Sequence, residues 1–248
     1  MTALHNWRES VESLVADLRA VFDTRLRSIV VYEAHGALGD HDSTDDEALR
    51  HNGEVHTLAV VDRLDHADLL RLAPLSRNWG KRGLAVPLIL GASEIGASLD
   101  AFPFEFDQMM ARHVVAFGDD PFAGLAVNAA DLRRACETQA RSHLLHLREG
   151  FIQTDGDPGA LARLVAASAA PMRGLLVHIA RLHGIDARTP DALLHFAEGR
   201  LGLQAGSLRP VLSHKASERM GDLDVGAFFP GYLRAVEQLV AQVDAWAR

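Results

Sequence analysis

Two clusters of acids and histidines stand out as residues able to do chemistry. The first runs from Gly39 to Glu47, GDHDSTDDE, and places five carboxylates in nine residues. Clustered carboxylate oxygens suit Mg²⁺, and Asp40 and Asp42 form an Asp-x-Asp pair. The competing reading is a solvated loop entering a helix. Ser43 or Thr44 would cap that helix, and Asp45, Asp46 and Glu47 would sit at its positive end. The second cluster is Glu33, His35, Glu54 and His56, near the ends of two apolar runs. Two imidazoles and two carboxylates could ligate Zn²⁺. They could equally form a hydrogen-bonded polar patch at a sheet edge, and 13 histidines make chance neighbours easy.

These residues must be held by regular elements. Ile29–Tyr32 and Val55–Val61 read as buried strands, Val86–Leu90 as a third and His113–Phe117 as a fourth. Alternation along the second puts Glu54 and His56 on one face. A helix precedes the first strand, its apolar face running from Trp7 to Phe22, with Asn6 and Glu9 spaced as a capping box. Asp65–Lys81 reads as a helix broken at Pro74, and Ser93 as the cap of a short helix reaching Leu99. Beyond Ala129 strand patterns cease. Helices are expected over Asp131–Gln153, Gly159–His183 with Pro171 inside, Pro190–Leu201, and Leu223–Ala247 interrupted near Pro230. The expected architecture is therefore α+β: a mixed sheet with flanking helices over residues 1–125, then an all-α helical bundle over 129–248.

Bulk composition narrows the function. Hydrophobic residues are 48% and charged residues 23% of the 248, which supports a sizeable core. The formal charge of -8 argues against a broad nucleic-acid footprint. A single cysteine, Cys136, rules out an internal disulfide and fits a reducing cytoplasm. The polar start lacks a signal-peptide core. No stretch reaches the roughly 20 apolar residues of a membrane span. A cytoplasmic protein is expected, with no membrane partner.

The order of elements resembles the bacterial nucleotidyltransferase-fold proteins. The resemblance lies in LRSIVVYEAHG for the first strand and turn and EVHTLAVVDRL for the second strand. LLRLAPLSRNWGKRGLAVPLIL follows for a helix and third strand, then SLDAFPFEFDQMMARHVVAFGDDPF for the closing segment. DLRRACETQARSHLLHLREGF would link into the bundle. The resemblance implies a Gly-Ser turn after the first strand that cradles a triphosphate, and an acid pair opening the second strand that holds Mg²⁺. Here the turn reads Glu33-Ala34-His35-Gly36, and the strand opens Glu54-Val55-His56. The Gly-Ser pair is missing, and an imidazole stands where a second acid belongs, a poor exchange for Mg²⁺.

Two functions follow as expectations. One is a catalytically degenerate relative that binds a nucleotide, small molecule or partner in the cleft between the two domains. The other is an active nucleotidyltransferase using Mg²⁺ and a nucleoside triphosphate. In it Glu54 and Glu105, or an acid of residues 40–47, would hold the metal, and His35 or His56 would act as base. Arg134, Arg141 and Arg148, seven apart on one helix, would offer a phosphate-binding face; salt bridging to nearby acids is the alternative. A structural or homodimerising module is the third possibility.

Overall fold

The computed structural model describes residues 7–32, 50–51, 54–213 and 223–246, with Arg50 and His51 described by backbone alone. The protein is α+β, a mixed sheet flanked by helices followed by a helical region. It divides into two compact units, residues 7–128 and 129–246 as described.

In the first unit, helix α1 (Trp7–Phe22) buries Trp7, Val11, Leu14, Leu18 and Phe22, the three-to-four spacing expected of one helical face. A 3₁₀ turn over Asp23–Arg25 delivers strand β1 (Leu26–Tyr32). Strand β2 (Arg50–His51) pairs with the start of β3 (Glu54–Val61). Strand β1 lies antiparallel to β3, with Tyr32 opposite His56 and Val30 opposite Leu58. Its other neighbour is β5 (His113–Gly118), also antiparallel. Strand β4 (Leu88–Gly91) runs parallel to β3 on the far side of a helical crossover.

Both faces of the sheet are covered, which is why β1 and β3 read as near-continuous apolar runs. Ile29, Val31, Ala59 and Val61 face α1, Leu72 and Trp79. Val30, Leu58 and Val60 face Ile95, Phe106, Met109 and Phe122. Because side chains alternate, a one-residue slip would exchange these sets.

The crossover contains α2 (His66–Leu72) and α3 (Ser76–Lys81), separated by a 3₁₀ turn at Ala73–Leu75 around Pro74. Asp65 and Asp68 form a reciprocal capping box at α2. Asp68 also accepts a fork of two bonds from Arg25, at 2.8 and 2.6 Å. The fork, with the help of the Asp65 backbone bond, holds the Asp68 carboxyl below the usual carboxylate range despite burial.

Two expectations are corrected in this unit, and one helix was not anticipated. Strand β4 starts at Leu88, not Val86. Leu84 and Ala85 already bridge Val55, but Pro87 has no N–H, so pairing lapses and resumes one residue later. Ser93 makes no side-chain cap; the Glu94 carboxylate instead accepts from the Gly91 N–H at 2.6 Å at the head of α4 (Glu94–Ala101). The segment FPFEF opens a further helix, α5 (Pro103–Ala111), with Pro103 in its first turn.

Among the described residues the regular elements of the second unit are helices: α6 (Ala129–Gln153), α7 (Pro158–Leu182), α8 (Pro190–Leu201), α9 (Ala205–Leu212) and α10 (Val225–Ala245). Asp157 caps α7 and Thr189 caps α8. Helix α7 packs against the other four. It is the one helix among the described residues long and apolar enough to cross a membrane, which the sequence reading missed; 44% of its most apolar window is buried inside the protein. Helix α9 was not anticipated. Helix α10 runs unbroken through Pro230, held by buried Phe229, Tyr232 and Val236, so the proline removes a backbone bond without ending the helix.

Candidate functional site

The end of the sheet where β1 leaves and β3 and β5 enter brings Tyr32, His56 and His113 together. Tyr32, last in β1, has His56 opposite on one side and His113 opposite on the other. Cross-strand partners share a face, so a His–Tyr–His row crosses three strands. The Tyr32 and His56 rings lie 6.0 Å apart between centroids, tilted by 47°. Tyr32 packs on the apolar cluster of Val30, Leu58 and Phe122. That burial raises the pKa of its phenol and keeps it a neutral hydrogen-bond donor.

His113 is held at both ring nitrogens. Its Nδ1 lies 3.0 Å from the Met109 carbonyl, and its Nε2 lies 3.2 Å from Asp120 Oδ1. The same Asp120 oxygen accepts the Phe122 N–H at 2.9 Å, and the Phe122 ring meets His113 edge-on at 5.0 Å. Helix α5, strand β5 and the turn after it therefore fix one imidazole as a wall of the row. His56 is half-buried and Glu54 exposed, on the same face of β3.

The other expected residues are placed as follows. Glu33, His35 and the acidic segment 40–47 lie outside the described residues, as does Asn6. Glu105 is exposed in the first turn of α5. Among the described residues, no group of three or more His, Cys, Asp or Glu side chains is placed to hold a metal ion. Glu54, His56 and Glu105 form no such group, and the acids of residues 40–47 expected to join them lie outside the described residues. An imidazole beside one carboxylate also fits an oxygen-seeking ion badly.

Arg134, Arg141 and Arg148 of α6 are ion-paired within the helical unit. Arg134 pairs with Asp131 one turn before it. Arg141 meets Glu137 at 3.5 Å and Asp244 at 2.7 Å. Arg148 meets Glu237 at 2.6 Å.

Sequence reasoning missed Tyr32, His113 and Asp120 as parts of this site. The one signal available was that His113 opens a strand, as His56 nearly does. What it could not supply is the register that brings both against Tyr32. Comparison with protein-family models finds no match, and comparison with curated proteins finds none either.

Proposed function

We propose that the chain is a nucleotidyltransferase-like protein that binds a nucleotide or similar small ligand at the β1–β3 end of its sheet without carrying out nucleotidyl transfer. The observation that supports this reading is the antiparallel pairing of β1 and β3, with Tyr32 opposite His56. It puts the exit of one strand and the entry of the next at the same end. That is where the resemblance would place a phosphate-binding turn and an acid pair. Here, among the described residues, that end carries a neutral phenol, the imidazoles of His56 and His113 and the exposed carboxylates of Glu54 and Asp120. Those groups can donate and accept hydrogen bonds to a ligand, and no chemical step is assigned to them.

The test is calorimetric titration of the full chain with ATP and with GTP, each with and without Mg²⁺, alongside transfer of label from an α-labelled triphosphate. The expected result is binding that is insensitive to Mg²⁺, weakened by His56→Ala and Tyr32→Phe, with no label transferred. Mg²⁺-dependent binding that vanishes in Glu54→Ala, with label transferred, would establish an active enzyme instead. No binding of either nucleotide would overturn the ligand reading.

A second reading, a homodimerising module, draws on Leu145, Phe151 and Ile152 of α6, exposed at 63%, 47% and 78%. Leu145 and Ile152 are seven apart and share a face. Light scattering of the wild type and of Ile152→Glu decides it: a dimer dissociated by the charge supports the reading, and a monomer at all concentrations refutes it.

A further inference from the structure

Helices α6 and α7 flank a half-open cavity of about 200 Å³, lined by residues of the helical unit. Near their connecting turn the two helices are in close contact: a Cβ on Gly150 would fall 2.5 Å from a Leu164 methyl. Farther along, the facing residues are small, Ser142 on α6 against Ala167 and Ser168 on α7, and the gap opens. Its apolar walls are Leu147, Leu164 and the Pro171 ring.

The floor is polar and fixed. His143 and Ser168 line the cavity, at 6% and 8% exposure. Behind them the Tyr232 hydroxyl bonds both, at 2.9 Å to His143 Nε2 and 3.0 Å to Ser168 Oγ. Ser168 gives its one proton to the Val165 carbonyl at 2.7 Å. Its remaining capacity is as an acceptor. A second acceptor comes from the backbone. Pro171 has no N–H, so the Ala167 carbonyl four residues earlier loses its usual helical partner. Ala167 and Pro171 both line the cavity. Nearer the mouth, the Ser142 hydroxyl and the Gln139 amide can donate.

Among the described residues no carboxylate, lysine or arginine lines this space, and the His146 ring at its rim is 75% exposed beside Glu149 at 3.6 Å. A charged guest would be desolvated without a counter-charge. A buried acceptor at Ser168, a carbonyl at Ala167 without its usual helical partner, the polar groups of Ser142 and Gln139 and apolar walls define a complementary guest. We propose that this cavity binds a small uncharged molecule carrying an amide or similar N–H donor beside an apolar ring. The N–H group points to Ser168 and the Ala167 carbonyl, and the ring lies against Leu147, Leu164 and Pro171.

The probes are benzamide, benzoate and toluene, which share a ring and differ in the group attached. Each is titrated into the ¹⁵N-labelled full chain, following backbone amide shifts of residues 139–147 and 164–171. Benzamide should shift these amides saturably, with benzoate and toluene at least tenfold weaker. Ala167→Phe fills the cavity from an exposed position and should abolish the shifts, with the spectrum elsewhere unchanged. Ser142→Ala keeps the space and should weaken benzamide severalfold. Toluene binding as tightly as benzamide would overturn the assigned chemistry. Benzamide shifts that are absent, or that persist in Ala167→Phe, would overturn the site.

Discussion

Acidification should loosen the helical unit through one residue, His143. Burial, and secondarily the nearby His146, lower the pKa of His143 in the folded chain to about 4, from an ordinary value of 6.5. The cause is structural: the ring sits at 6% exposure against Tyr232, where an imidazolium would be poorly solvated. Above pH 6.5 the folded and unfolded chains both carry a neutral ring, and nothing is lost. Between pH 6.5 and about 4 the unfolded chain takes up a proton that the folded chain refuses. Stability therefore falls as pH falls across this window and levels off below it. Each pH unit is worth about 1.4 kcal/mol, so the interval costs roughly 3 kcal/mol. The assay is hydrogen exchange by mass spectrometry on peptides from α6 and α7, corrected for intrinsic rates, at pH 7, 6, 5 and 4. His143→Gln retains a polar partner for Tyr232 and removes the titration. The wild type should lose on the order of a hundredfold more protection than the variant over this range. Equal pH slopes in the two proteins would refute the assignment.

Asp68→Asn loses the charge in the Arg25 fork and weakens the α2 cap; urea unfolding should report a loss of about 1–3 kcal/mol. Gly118→Ala should cost at least about 2 kcal/mol by thermal denaturation. Gly118 has a φ of 73°, and a Cβ there would lie 1.9 Å from the Arg27 carbonyl oxygen. Arg148→Ala, by contrast, removes a half-exposed pair with Glu237 and should change stability by no more than about 1 kcal/mol.

The sheet was legible because β1 and β3 are covered on both faces, and that leaves an apolar run no loop would carry. The ends of elements were less so. Pro87 interrupts pairing between Leu84 and Leu88, a lapse visible only once β3 is known to be the partner. Helix α5 was hidden because FPFEF places aromatics at alternate positions, a strand-like signal that Pro103 in a first turn overrides. Pro230 looked like a break because local chemistry says so, whereas the packing of Phe229 and Tyr232 decides otherwise. Of the candidate site, Glu54 and His56 could be placed on one face by alternation alone. Tyr32 and His113 could not, since their juxtaposition depends on strand register. The same limit applied to the α6 arginines: Glu237 and Asp244, which receive Arg148 and Arg141, belong to a helix that the sequence does not pair with α6.

The ties between α6 and α10 also set an order of events in folding. Three of them, His143 to Tyr232, Arg148 to Glu237 and Arg133 to the Trp246 carbonyl, join residues 89, 89 and 113 positions apart. A chain emerging from the ribosome exposes α6 and its apolar face long before α10 exists to meet it. Helices α7 to α9 can gather locally in the meantime, since hairpin contacts close short loops. The unit then has one late, cooperative step, the docking of its last helix onto its first. Until that step the partners of His143, Arg148 and Arg133 have not arrived. A chaperone or a protease would find its opportunity in that interval.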